Sequence, residues 1–257
     1  MKRRRRLGLG MVVGTAACLA VAAGIVHVQY APPDREAGTR GAVIVEIPPR
    51  ATLRQTAGLL RARHLIRNAG LFEWLARARG LAARIQPGEY ALTAAMTPRQ
   101  ILDRLVRGEV VLHPVTIPEG LTVAETLLRL TAAGYGPEEG YRRMLDDPDY
   151  QAAHGVPSAG VKVPFEGYLF PDTYLLAKDT PPARVLSVML ARLDAAFTPE
   201  RRRRMALVGW DRHQVLTLAS LIEKETGRPE ERARISAVFH NRLERNMRLQ
   251  ADPTVIY

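Results

Sequence analysis

The run LGLGMVVGTAACLAVAAGIVHV, from Leu7 to Val28, holds no Asp, Glu, Lys or Arg. A helix of about 20 apolar residues spans the hydrocarbon core of a bilayer. The spacing therefore predicts a transmembrane helix over residues 7–28, although its Gly and Ala content makes insertion weaker than for a Leu-rich span. MKRRRR, residues 1–6, is a basic head that the positive-inside rule assigns to the cytoplasm, which places everything after Tyr30 across the membrane. A cleaved signal peptide shares the charged head and apolar middle. The run is longer than a usual signal core, and no convincing small-x-small site precedes a mature start. The expectation is a retained single-pass anchor, followed by a linker over residues 29–40 that contains APPDREAGTR.

Residues 41–257 suffice for one substantial core or two small ones. The single cysteine, Cys18, lies inside the apolar run, so packing rather than disulfides must hold the outer part. Five of the formal +11 charges belong to the head, and the remainder stays basic at +6, a balance suited to an anionic polymer or lipid surface. Nucleic acid is a poor partner, because no zinc-finger spacing, aromatic RNA-binding pattern or basic recognition helix occurs. Arg201–Arg204 follow Thr198-Pro199, a capped helix start, and read as decoration of an exposed first turn.

The outer chain divides near Val110. GAVIVEIPPR alternates as a strand does, and Thr52 with Gln55 forms a capping box for the next helix. LIRNAGLFEWLARARG has helical apolar spacing, with Trp74 expected in the core rather than as a sugar platform. IQPGEYAL reads as turn plus strand, and Thr97-Pro98-Arg99-Gln100 opens another capped helix. This strand-helix-helix-strand-helix unit covers residues 41–110. The unit over residues 111–257 returns to strand at VVLHPVTIPEG, and Thr122 with Glu125 caps a helix. A short helix begins at Pro137 and ends before Asp149, and VPFEGYLFPDTYLL predicts short strands and tight turns. Helices follow over roughly 182–196, 199–207 and 212–226, and from Arg228 to about Arg245. The fold class is α+β, with helices dominating the later half.

Chemistry concentrates near the end. In DRHQVLTLASLIEKETG, Asp211 is an N-cap and Val215, Leu218, Ala219 and Ile222 form an apolar stripe. Glu223 lies on the border of that stripe, while Glu225 points elsewhere. A carboxyl group at the lip of an apolar face suits a proton donor, because desolvation disfavours its charged form. The same position equally suits a peripheral glutamate paired to an arginine of the next helix. That helix, PEERARISAVFHNRLE, offers Ile235, Val238, Phe239 and Leu243 as its packing face. His240 and Glu244 are spaced as metal ligands are, but no second histidine, HExxH or cysteine cluster supports them, so a solvent-facing pair is expected and no metal or cofactor. NMRLQADPTVIY places Asn246, Gln250 and Asp252 in a non-helical stretch.

The words VTIPEG, FEGYLFPDTY, LASLIEKETG, ERARISAVFHNRL and MRLQADPTVIY, in that order, resemble the endolytic murein transglycosylases of the MltG or YceG-like family. The resemblance implies an anchor, a LysM-like subdomain over residues 41–110 and a catalytic domain over residues 111–257. It implies Glu223 as the catalytic residue. Glu166, Asp172, Tyr174, Glu225, Asn241, Gln250, Asp252 and Tyr257 become substrate-binding or supporting residues. The family pattern continues beyond the tyrosine matching Tyr257, so the expectation is a catalytic domain incomplete at its C-terminus. The implied substrate is the glycan strand of peptidoglycan, cut between N-acetylmuramic acid and N-acetylglucosamine to leave a 1,6-anhydro end. Peptidoglycan synthases are candidate partners, and the expected location is the bacterial inner membrane with the catalytic domain in the periplasm. An anchored glycan-binding scaffold and a lysozyme-like hydrolase are the alternative readings.

Overall fold

The computed structural model describes residues 41–157 and 162–251, together with Gly24. The predicted span, the linker, Asp252 and Tyr257 lie outside the described residues, apart from Gly24. Among the described residues no helix is long and apolar enough to cross a membrane. The chain divides between Leu112 and His113 into two compact units.

The first unit begins with β1 (Val43–Ile47), α1 (Leu53–Ala62) and α2 (Ala69–Ala78), followed by β2 (Gly88–Leu92) and α3 (Pro98–Arg107). Strands β1 and β2 pair antiparallel, with Val45 opposite Tyr90 and Val43 opposite Leu92. Their alternation turns Val45, Ile47, Tyr90 and Leu92 onto one face, where they meet Leu60, Phe72, Leu75, Ile101 and Leu105. Thr52 and Thr97 form reciprocal capping boxes with Gln55 and Gln100, so both helices start where the sequence predicts. Tyr90 is fully buried, and its hydroxyl donates to the Gln86 and Leu105 carbonyls at 2.8 and 3.3 Å; burial pushes its pKa up to about 12. Gly88 has φ +135°, and a Cβ there would lie 2.6 Å from Val110 Cγ1. The turn into β2 therefore requires glycine on both counts. Trp74 departs from expectation: it is 42 % exposed beside exposed Leu71. Phe72, Leu75 and Ala76 already fill the inner face of α2, which leaves the indole on the opposite side.

The second unit contains β3 (Leu112–Thr116), α4 (Val123–Ala132), α5 (Glu138–Leu145), α6 (Pro148–Ala153), β4 (Thr173–Ala177), α7 (Pro182–Ala196), α8 (Pro199–Val208), α9 (Arg212–Glu225) and α10 (Pro229–Glu244). Strand β3 pairs with β4, and the Ile117 N–H donates to the Asp172 carbonyl at 2.9 Å just beyond the ladder. Leu127, Leu130, Tyr141, Phe165, Tyr168, Leu186 and Met189 form the main core. The helix predicted to end before Asp149 does so, at Leu145, and Asp147 then caps a further short helix, α6, through the Asp149 N–H. In α8 no residue is buried. Arg201 and Arg202 donate to the Ala196 and Phe197 carbonyls, so half of the arginine run closes the C-terminus of α7.

The last helical pair has a smaller cluster of its own, made by Leu218, Phe239 and Ala251 with Trp210, Leu221, Ile222, Ile235 and Leu249 against them. The expected packing faces are narrower than the spacing suggests. Ala219 is exposed, as are Val238 and Leu243, at 45 and 41 % for the latter two. His240 also differs from the solvent-facing reading: its ring stacks on Trp210 with centroids 4.9 Å apart, and Nδ1 lies 2.8 Å from the Ser236 carbonyl.

Candidate active site

Helix α9 is set by its own first turn. The Asp211 carboxylate accepts the Gln214 N–H at 2.8 Å, and the Gln214 side chain accepts the Asp211 N–H at 2.9 Å. From there the helix presents Leu216 and His213 to the turn over residues 163–169. A Cβ on Gly167 would lie 3.9 Å from Leu216 Cβ, and Tyr168 stacks on His213 with centroids 6.2 Å apart. Glu223 sits in the last turns of α9, half-buried, and its Oε2 is 3.1 Å from Arg232 Nη2 on α10. Pairing to an arginine of the following helix was one of the two arrangements its position allowed.

The turn between the helices holds this pair in register. The Thr226 hydroxyl, on a residue 7 % exposed, donates to Glu231 Oε2 at 2.8 Å, and its oxygen accepts the Arg228 N–H at 3.0 Å. Pro229 then starts α10, with Glu230 and Glu231 at the positive end of its dipole.

Glu166 lies in the 163–169 turn between Phe165 and Gly167, whose φ values are +64° and +79°. Its Oε2 accepts the Val123 N–H at 3.2 Å, at the N-terminus of α4. Burial pushes the Glu166 carboxyl above the usual range, opposed by the Val123 hydrogen bond; Glu125 pushes it further up and Lys224 pulls it down. Glu125 is held below its ordinary value, first by the Thr122 backbone and hydroxyl, with a smaller contribution from Lys224. The charge on Lys224, next in sequence to Glu223, is thus felt by both Glu125 and Glu166.

The other candidates separate. Asp172 is tied to Arg192 Nε at 2.5 Å and to the Thr173 N–H at 2.8 Å, which holds its carboxyl below the usual range. Tyr174 is 5 % exposed, its hydroxyl donates to the Phe170 carbonyl at 2.5 Å, and burial raises its pKa. It belongs to the core, and so does not present a free hydroxyl to a ligand. Glu225, Asn241 and Gln250 are exposed, the last with φ +51°. The segment leading to Gln250 is fastened to α10, because Arg242 accepts the Met247 N–H at its carbonyl and donates from its side chain to Leu249. Among the described residues no three metal-ligating side chains converge. Lys224, Thr226, Glu231 and Arg232 were not picked out as site residues. Thr226 and Glu231, flanking Pro229, carried a local signal of a turn clamp.

Known proteins show the family of this chain. The profile of the YceG-like family matches residues 45–257. An endolytic murein transglycosylase of Bacillus subtilis (strain 168) is 28 % identical over 242 residues, covering 86 % of this chain and 64 % of that protein. One of Streptococcus pneumoniae serotype 2 (strain D39) is 27 % identical over 248 residues, covering 86 % of this chain and 44 % of its own length. The chain thus spans between under half and just under two thirds of these relatives. A crystal structure of a yceG-like protein from Listeria monocytogenes superposes with a TM-score of 0.51 at 29 % identity, covering 84 % of this chain and 74 % of that one. With the match running from β1 through the last described turn and beyond, the chain belongs to the YceG-like family.

Proposed function

We propose that this chain is an endolytic lytic transglycosylase that cuts peptidoglycan glycan strands between N-acetylmuramic acid and N-acetylglucosamine, with Glu223 as its acid and base. The observation that carries this is a half-buried carboxyl at the end of α9, paired to Arg232 of α10 and followed by Lys224, whose charge acts on Glu166. Endolytic murein transglycosylases at 27–28 % identity support the substrate class. Glu223 protonates the glycosidic oxygen as the bond to C1 breaks. The C6 hydroxyl of the muramic acid then attacks C1, and the Glu223 carboxylate takes its proton. Because an intramolecular hydroxyl replaces water, the second carboxylate at fixed separation that a hydrolase needs is not required. The half-buried Glu166 is the supporting carboxyl in this reading.

The protein, reconstituted and supplied with uncrosslinked strands, is expected to release anhydro-muramoyl ends, read by mass spectrometry. Products heavier by one water would make it a hydrolase. Retention of strands without any cleavage would favour the scaffold reading, which the Glu223–Arg232 pair by itself also fits. The β1-α1-α2-β2 order of the first unit supports a LysM-like subdomain able to hold the strand, and the strand-retention arm bears on it.

The same proposal places the protein at the inner membrane on the 7–28 helix, with both units in the periplasm beside the synthases that extend the glycan. A reporter fused after Tyr30 is expected to be exported and to stay with membranes through an alkaline wash. A shortened soluble species would replace the anchor with a signal peptide.

A further inference from the structure

Glu223 is not a free carboxyl group. Its Oε2 faces Arg232 Nη2 at 3.1 Å, and the two side chains are 35 and 38 % exposed. A carboxyl oxygen that faces a guanidinium is not free to face a glycosidic oxygen, so the resting arrangement and the acid step of the proposed reaction are different arrangements of the same pair. The contact is one-pronged. Arg232 Nε is buried and meets no hydrogen-bond partner among the described residues, which is costly for a donor on a charged group. The guanidinium edge formed by Nε and an Nη matches a bidentate oxygen acceptor. Among the described residues half of that edge is unused.

The backbone beneath the pair is fixed. The Thr226–Glu231 bond at 2.8 Å clamps the turn, and Leu218 and Phe239 are buried between the helices. Rotation of the side chains is therefore sufficient to separate the partners. We propose that Arg232 is the positioning residue for Glu223: it holds the carboxylate in the resting site and passes its guanidinium to an oxygen acceptor of the glycan when the strand enters. Released, Glu223 takes a proton from water and delivers it to the glycosidic oxygen. It recovers a proton from the C6 hydroxyl, and returns that proton to solvent when the product leaves and the pair reforms. No net proton is gained or lost. This inference rests on the reading of Glu223 as the acid.

The test compares the reconstituted parent with Arg232→Ala, Arg232→Lys, Glu223→Gln and the Glu223→Gln/Arg232→Ala double variant on uncrosslinked strands. Arg232→Ala is expected to lower kcat by about tenfold or more with the melting temperature unchanged, and Arg232→Lys, which has no two-pronged edge, to recover little of the loss. In the non-cleaving Glu223→Gln background Arg232 is already released, so strands should bind several-fold tighter than to the parent. Adding Arg232→Ala should abolish that gain, a coupling that a merely structural arginine would not show. A parental kcat in Arg232→Ala, full recovery by lysine, or equal strand affinity of the single and double variants would each overturn the proposal. Cleavage at the parental rate by Glu223→Gln would instead remove the acid reading itself, whatever Arg232 does.

Discussion

Glu223→Gln is expected to reduce strand cleavage by about 10² to 10⁴-fold, the usual contribution of general acid–base participation. The amide keeps the size and hydrogen-bonding reach of the carboxyl but has no proton to transfer at neutral pH. Because Glu223 is about one-third exposed and its ion pair is shared with water, folding should be little affected. Glu225→Gln serves as the paired control: that side chain is exposed on another side of α9 and should lose far less activity. Rates of anhydro-end formation, normalised to folded protein, decide the matter. A Glu223→Gln variant within threefold of the parent, alongside a dead but folded Glu166→Gln, would move the acid to the 163–169 turn (about 0.7 kcal/mol separates a threefold change from none).

The largest stability loss is expected at Phe165. Its ring is fully buried, 5.6 Å from Tyr150 and 6.0 Å edge-on to Tyr168. Phe→Ala at such a site costs about 3–5 kcal/mol through lost burial and the cavity left behind. The backbone at Phe165 is left-handed, at φ +64°, so packing of the ring sustains a conformation that a smaller side chain would not. Urea denaturation of Phe165→Ala should show this loss, whereas Trp74→Ala, at an exposed position, should change stability by less than about 1 kcal/mol. A Phe165→Ala loss below about 1 kcal/mol would mean that the turn is held by its hydrogen bonds rather than by the ring. Activity should fall with it, since Glu166 is the next residue.

Features governed by neighbouring residues were the ones legible in the sequence. The caps at Thr52, Thr97, Thr122 and Asp211 fix helix starts, and each appears where it was read, with Gln214 completing at Asp211 a box that was not read. The later helices likewise follow their apolar spacing. Burial was less legible. A stripe such as Val215, Leu218, Ala219 and Ile222 states which face is apolar but not whether a partner covers it, and here only Leu218 is buried. Trp74 failed for the converse reason: α2 carries apolar residues on two faces, and periodicity cannot choose between them. At the site, the motif words drew attention to Glu223, Glu166 and Asp172 as carboxylates. Their partners were set by tertiary contacts: Arg232 from the next helix, Val123 from α4 and Arg192 from α7. Tyr174 shares a motif word with Asp172 yet faces the core, because β4 alternates and its buried positions are Tyr174 and Leu176.

The Thr226 clamp has a further meaning for how the site comes into being. Glu223 and Arg232 belong to one helical hairpin, and the bond that sets their register, Thr226 to Glu231, lies within its turn. Bringing them together closes only a short loop of chain, so the entropic cost of assembly is small and does not depend on distant segments pairing first. Glu223 and its counter-cation are therefore carried by a single contiguous cassette. Insertions in earlier loops leave their spacing untouched, whereas one residue added or lost between Thr226 and Glu231 would rotate α10 by about 100° and separate the pair.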